Sequence, residues 1–213
     1  MDLSHREIAK AVIKSQHCQR NWNLTKTIPE EDIDLLIHSV TNCPSKQNVA
    51  YYDVYFITDR SVIEKIHKRT NGFVINRNGD TVTNSQTLAN LLIAFTSCDL
   101  DLEPNVHRNT ELDYVKDNNI SYKDVPSLVR DKHMAIGIAA GYVNLTAAML
   151  GYSTGCCACF DQDINKIIGS EHEVELLMGV GFSNSEKNRR IHHEDDSFMF
   201  PTKKKQEIKV FKI

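Results

Sequence analysis

Residues 134–161 read MAIGIAAGYVNLTAAMLGYSTGCCACFD, and the rest of the chain is organised around them. Alanine, glycine and branched aliphatics fill the first half, with Tyr142, Asn144 and Thr146 as its polar atoms, which predicts a helix buried nearly all round. Gly151 is placed to take the left-handed conformation that closes a helix, and Ser153, Thr154 and Gly155 do not continue one. A compact segment follows, Cys156, Cys157, Ala158, Cys159 and Phe160, ending at Asp161, which can cap the next helix. Surfaces of Ala and Gly admit a second backbone at short range, so this is read as the central helix of a packed domain, at a subunit interface.

The 213-residue chain is long enough for one sizeable core, and no Pro/Gly/Ser-rich linker divides it, so residues 1–213 are expected to form a single domain. With 25 basic against 28 acidic residues it lacks the basic surplus of a nucleic-acid binder. The opening MDLSHREIAK has no basic-then-apolar secretory pattern, and 134–150 is short for a membrane span and broken by Asn144. The expected setting is the cytoplasm, without a membrane, and with the six cysteines as reduced thiols.

In chain order, Ser4 and Glu7 form a capping box before a helix with Ile8, Ala9, Ala11 and Val12 on its apolar stripe, fading near Ser15. A polar turn, Gln16, His17, Cys18 and Arg20, is anchored by Trp22. Thr27 and Glu30 read as a second capping box around Pro29, and Ile33, Leu36, Ile37 and Val40 fall at helical spacing. Tyr51–Thr58 and Leu91–Thr96 have strand composition, with a short helix from Ser61 to about Arg69 between them. Cys98 to Val125 is a polar excursion with a possible helix near Thr110–Lys116, expected to be a mobile cover over a binding site. Asp161–Ile168 reads as a capped helix ended by Gly169, Glu175–Phe182 as a third strand, and 200–213 as an edge strand. The resulting class is α+β: a mixed, mostly antiparallel sheet flanked by helices, with a C-terminal extended strand.

Three donor-rich points stand out: the Gln16–Arg20 turn, the Pro44–Asn48 loop, and Lys203, Lys204 and Lys205. Together they offer cations for a phosphate, amide and guanidinium donors for a ring edge, and apolar walls for a ring face, the needs of a phosphorylated planar ligand. Cys156-x-x-Cys159 also has the spacing of a dithiol or metal half-site, with His172, His192 and His193 as possible completing ligands. That reading lacks a second cysteine pair, and the segment reads more naturally as the wall of a ligand site, with no metal.

The order and spacing of these features resemble the nitroreductase family of FMN-dependent oxidoreductases over nearly the whole chain. The family's Arg-x-Ser-x-Arg-x-aromatic turn is matched at Arg20 and Trp22, with Ile28-Pro29 at the corresponding distance, while Gln16 and Cys18 stand in place of the first arginine and the serine. His17 is a candidate to compensate for that lost charge. The Pro-Ser-x-x-Asn loop is intact as Pro44, Ser45 and Asn48, followed by Ala50, Tyr51 and Tyr52 where the family has Gln-Pro-Trp. Asn84 and Gln86 resemble its Asn-x-Gln. Ala139–Phe160 resembles the long helix, Gly turn and flavin-facing loop, with Cys156, Cys157, Ala158 and Cys159 in the loop. Lys203, Lys204 and Lys205 fall at the basic residues that hold the FMN phosphate.

The resemblance implies a homodimer in which Ser45 and Asn48 reach the flavin of the neighbouring subunit. It implies hydride transfer from NADH or NADPH through flavin N5 to a small acceptor such as a quinone or nitroaromatic. Arg20 would tune the N1 and O2 edge, and the backbone amides of Cys157–Cys159 would lie near N5. The altered turn leaves a second reading, a flavin-binding protein without catalysis.

Overall fold

A four-stranded antiparallel sheet is built from β1 (Asp53–Ile57), β2 (Leu91–Thr96), β3 (Ser153–Cys157) and β4 (Val174–Gly181), in the spatial order β1-β2-β4-β3. The structure is a computed structural model describing residues 4–72, 75, 79–100, 115, 117–118, 120–121, 124–201 and 204–212. The helices are α1 (His5–Ser15), α2 (Glu30–Thr41), α3 (Arg60–His67), α4 (Pro126–Met149) and α5 (Ile164–Ile168). On one face of the sheet, α2 and α4 bury Leu36, Val40, Ala139 and Val143 against Ile93, Phe95 and Met178. On the other, α3 and α5 bury Ile63, Ile66 and Ile164 against Leu92, Ala94 and Leu177. Covered on both faces, β2 can be apolar throughout, and all six of its residues are buried.

The Ser4–Glu7 capping box forms as expected, but Ile8 and Val12 are exposed in the single chain and Ala11 is the residue α1 buries. The Thr27–Glu30 box does not form. Pro29 takes the N-cap with no side-chain cap bond, and Glu30, Glu31 and Asp32 fill the first turn, where negative charge meets the helix dipole. Of the residues at helical spacing in α2, Ile33, Leu36 and Val40 are buried and Ile37 is partly exposed.

Helix α4 begins at Pro126, ahead of the apolar stretch, because Asp131 and Lys132 are themselves buried on its inner face by long-range partners. It buries one side rather than its whole circumference, leaving Met134, Ile138 and Tyr142 exposed. Gly151, at φ 94°, closes it, and the Tyr152 amide returns 2.8 Å to the Ala147 carbonyl. The chain then enters β3, a strand that the small and turn-forming residues 153–157 conceal. Its membership comes from pairing with β4, with Gly155 opposite Gly179. Asp161 does not cap α5; Asp163 stands at the N-cap, and the Asp161 carboxylate accepts from the Asp163 amide at 3.1 Å in the preceding turn. Gly169 ends α5 at φ 72°.

Residues 204–212 form no ladder with this chain's sheet, and Ile208, Val210 and Phe211 are exposed. Among the described residues the expected edge strand therefore pairs with no strand of this chain. Residues 101–114, which hold most of the expected cover and part of its helix, lie outside the described residues. Among the described residues no helix is long and apolar enough to cross a membrane.

Candidate functional site

Gly155 and Gly179 are cross-strand neighbours whose absent side chains leave bare backbone on the face of the sheet shared with Leu92. A short 3-10 turn, Ser85–Leu88, lies directly on that floor. A Cβ on Gly155 would stand 2.6 Å from Gln86 Cβ, 2.8 Å from the Gln19 carbonyl and 3.2 Å from Cys18 Sγ, and one on Gly179 would strike the Gln86 carbonyl. The Gln86 amide donates to the Cys156 carbonyl at 3.2 Å, while its buried Oε1 has no hydrogen-bond partner among the described residues. Asn84 is committed as a brace: its amide donates to the carbonyls of Asn71 (3.0 Å) and Cys159 (3.2 Å).

The Gln16–Arg20 turn lies along β3, with Cys18 bridged in parallel to Thr154 and the Gln19 amide donating to the Thr154 carbonyl at 2.8 Å. That bridge makes the neighbourhood of an otherwise antiparallel sheet mixed. Trp22, fully buried, fixes the turn from below: its indole N–H donates 2.9 Å to the Ser85 carbonyl, and Ser85 Oγ donates 2.8 Å to the Arg20 carbonyl. The Arg20 guanidinium lies 4.3 Å from the centre of the Phe200 ring, and its buried Nε has no hydrogen-bond partner among the described residues. Gln16 and His17 are exposed, and Lys205 Nζ lies 3.5 Å from Gln16 Oε1. Lys204 is exposed, and Lys203 lies outside the described residues.

Residues that the sequence did not single out complete this corner. Arg189, in the segment after β4, donates from Nη1 to the Cys18 carbonyl at 3.1 Å, and its own carbonyl accepts from the Arg20 amide at 3.0 Å. Residues 184–196 read simply as polar; paired histidines followed by Phe198 and Phe200 were the signal of a packed segment there.

Cys156, Cys157, Ala158 and Cys159 run from the edge strand into the loop beside Asn84 and Gln86, and all six cysteines are free thiols. Burial pushes the Cys18 thiol up, with Arg20 and Arg189 partly offsetting it. Burial raises Cys157 to about 12, while Cys156 is exposed on the edge strand. Cys157, held protonated, is a poor nucleophile. Among the described residues no group of three or more His, Cys, Asp or Glu gathers as a metal site.

Pro44, Ser45 and Asn48 stand elsewhere, beside a cleft of about 610 Å³ at the β1 edge that Ser45 and Asn48 line together with Val40, Cys43 and Tyr52. Ser45 Oγ donates to the Val49 carbonyl at 2.8 Å, and Gln47 and Asn48 both hold positive φ (58° and 57°). Non-glycine residues rarely adopt this conformation, and it persists where surrounding contacts enforce it. One such contact is Lys46 on the buried Asp131 carboxylate at 2.6 Å. Burial pushes the Asp131 carboxyl upward, but Lys46 and Arg130 outweigh that and hold it below its usual range.

A buried histidine clamp secures the segment after β4. The Glu194 amide donates to His192 Nδ1 (3.1 Å), and His192 Nε2 meets Thr83 Oγ1 (3.1 Å). Thr83 Oγ1 meets His67 Nε2 (2.9 Å), His67 Nδ1 meets Thr87 Oγ1 (3.1 Å), and Thr87 donates to the Asn84 carbonyl (2.9 Å). His192 closes its part of the chain as a neutral ring protonated on Nε2, while the Glu194 carboxylate, 3.2 Å from His67 Nε2, can only accept and competes with Thr83 for that nitrogen. Burial lowers the pKa of His67 and of His192, with the Glu194 charge opposing in both. The unfolded chain therefore takes up these protons first as pH falls. Stability should be level above the ordinary histidine pKa of about 6.5 and drop below it, by about 1.4 kcal/mol per pH unit for each histidine until the folded pKa is passed. Urea midpoints at pH 7.5 and 5.5 measure this, and equal midpoints would count against the clamp.

The matched family model, Nitroreductase family, spans residues 13–182. A Bacillus subtilis protein described as a nitroreductase is 15% identical, covering 96% of this chain and 97% of its own, with a TM-score of 0.66. A Staphylococcus epidermidis protein described as an NAD(P)H:FMN oxidoreductase is 18% identical (94% and 95% covered, TM-score 0.62). An Exiguobacterium sibiricum protein described as a nitroreductase and solved in complex with FMN is 16% identical (88% and 92%, TM-score 0.60). No curated protein sequence matches significantly. At these identities the solved structures speak for the fold, while the model match takes in the turn from Cys18 to Trp22, the Asn84–Gln86 turn and all four strands. The chain belongs to the nitroreductase family.

Proposed function

We propose that this protein is an FMN-dependent oxidoreductase that takes electrons from NADH or NADPH and delivers them to a small acceptor, a quinone or nitroaromatic being the class to try first. One observation carries the reading. The turn at 16–20, the 3-10 turn at 85–88 and the cysteine segment converge at the β3 edge, where two buried polar atoms, Arg20 Nε and Gln86 Oε1, lack partners. Buried polar groups are normally satisfied, and a planar heterocycle with both donors and acceptors on its edge suits this pair. FMN bound there would supply hydride transfer between nicotinamide and acceptor. Arg20 would hold positive charge at the ring edge that gains negative charge on reduction. Lys204 and Lys205 would hold the phosphate, and the Gln86 and Cys157–Cys159 side of the site would exclude water.

The second set of expected contacts argues for two copies. Ser45 and Asn48 stand at β1 and the cysteine segment at β3, with β2 and β4 between them, which at strand spacing is roughly 14 Å. A flavin using both sets would draw them from different chains. The exposed Met134, Ile138 and Tyr142 of α4, beside Gly137 and Gly141 with open space over them, offer a face for such a contact, as do Ile208, Val210 and Phe211 of the tail. In this reading all 213 residues serve one cytoplasmic flavin domain, and the protein is a homodimer.

The purified protein should be yellow, release FMN on denaturation, sediment as a dimer and oxidise NADH or NADPH with a quinone. A colourless protein that cannot be reconstituted would sink the flavin reading, and FMN without turnover would leave a non-catalytic binder. Arg20→Ala should lower the bound-flavin potential by roughly 30–65 mV, the equivalent of one charge-assisted contact, whereas Lys204→Ala should raise the FMN dissociation constant and leave the potential in place. An unchanged potential in Arg20→Ala would remove that residue from the ring edge.

A further inference from the structure

We propose that Phe200 is a positioning residue for the flavin site: its ring holds the Arg20 guanidinium flat and fixes how Arg20 meets the flavin edge, without neutralising its charge. The assignment rests on the flavin reading above. The guanidinium lies over the Phe200 ring, 4.3 Å from its centre, and among the described residues no carboxylate pairs with it. A carboxylate would anchor Arg20 as firmly, but it would cancel the positive charge offered to a ring edge that gains negative charge on reduction. An aromatic face attracts the cation through its quadrupole and carries no net charge. Stacking uses the flat face of the guanidinium and leaves its N–H edge for a ligand, and the buried, unpartnered Nε lies on that edge. Phe200 is itself held firmly. Its buried ring stacks with His192 (5.8 Å between centres, 25° between planes) and meets Phe198 edge to face (5.0 Å, 86°). Its backbone belongs to a short hairpin in which the Phe200 amide donates to the Arg190 carbonyl (2.9 Å), the His192 amide donates to the Phe198 carbonyl (2.9 Å), and Ile191 bridges Met199. The Arg189 carbonyl, at the start of the same hairpin, accepts from the Arg20 amide (3.0 Å), so one element fixes both the backbone of Arg20 and the ring under its side chain. A side chain pinned at both ends has little freedom left to lose when a ligand arrives, which is what a preorganised cation requires.

The reduction potential of bound FMN reads the placement of the Arg20 charge, and a cycle with Arg20 separates positioning from packing. Full-length protein loaded with FMN is titrated as wild type, Phe200→Leu, Arg20→Ala and the double variant. Phe200→Leu keeps an apolar side chain in the buried site and removes the π face. The ratio of affinities for reduced and oxidised FMN should fall roughly three- to tenfold, which lowers the two-electron potential by about 15–30 mV. In the Arg20→Ala background the same substitution should leave the potential where it is, because no guanidinium remains to be aimed. Phe200→Tyr, which keeps the face, should match wild type. An unchanged or raised potential in Phe200→Leu would overturn the assignment. An equal fall with and without Arg20 would overturn it too, since that marks a residue that only packs the hairpin. If Phe200→Leu shows no thermal transition, Phe200→Met carries the same comparison, because a flexible thioether fills the space of the ring without its face. An Arg20→Ala potential equal to wild type would overturn this assignment and leave the flavin reading intact, whereas a wild type that takes up no FMN would overturn both.

Discussion

Replacing Gly179 with alanine is expected to destabilise the protein by about 3 kcal/mol and to yield protein without bound flavin. Gly179 pairs with Leu92 on one side and Gly155 on the other, in the middle of the sheet, so its strand cannot shift without breaking two ladders. An added Cβ would strike the Gln86 carbonyl and come within 2.9 Å of Ala89 Cβ. Neither is the free end of a flexible side chain, so the 85–88 turn must rise off the sheet. As it rises, Trp22 loses its acceptor at the Ser85 carbonyl and Gln86 its hold on Cys156. The buried indole N–H and the proposed flavin edge at Gln86 fail together, which places the cost at the upper end for overpacking. Urea unfolding gives the stability and the visible spectrum of the purified variant gives the occupancy. A loss below about 1 kcal/mol with normal flavin content would show that the turn can move freely and that the glycine floor does not position the site.

The same contacts explain which parts of the fold could be read from sequence. LLIAFT at 91–96 matched β2 residue for residue because a strand buried on both faces is apolar without interruption. Helix α2 was legible from its spacing, since its stripe faces one core. β3 was not, because Ser153, Thr154 and Gly155 have turn composition, and what makes them a strand is the pairing with β4 and the need for a bare floor under Gln86. The first turns of α4 were missed because Asp131 and Lys132 look like surface charges until Lys46 and Glu175 are brought to them from far along the chain. The site divides in the same way. Its local turns, 16–22 and 84–86, were visible as motifs, while Arg189 and Phe200 act at the turn only because the histidine clamp folds a polar segment back over it. That long-range placement leaves no periodic trace in the sequence.

Removing Glu175 alone should destabilise the protein by about 3–5 kcal/mol, while replacing Glu175 and Lys132 together with apolar residues of similar volume should cost little or stabilise. The two side chains form an ion pair between β4 and α4 with 18% and 7% of their surfaces exposed. Ser97 Oγ donates 2.7 Å to Glu175 and accepts from Lys132 at 3.3 Å, and His133 lies 3.5 Å from the second carboxylate oxygen. Glu175→Ala leaves the Lys132 ammonium buried with only the Ser97 hydroxyl, and the penalty is that stranded charge rather than the worth of the pair. In the double variant no charge is stranded, so a double-mutant cycle separates the two. pH gives an independent check. Burial pushes the Glu175 carboxyl up, but the Lys132 and Ser97 bonds and the Lys132 charge outweigh it, so the folded pKa lies below the ordinary carboxylate value. The stability from Glu175 is therefore complete above the unfolded pKa of about 4.3 and is lost as pH falls through the folded one. The gap in urea midpoint between wild type and Glu175→Ala should be widest near pH 7 and narrow in acid. A gap that stays constant down to pH 3, or a double variant as unstable as Glu175→Ala, would show that the carboxylate's charge is not what holds β4 to α4.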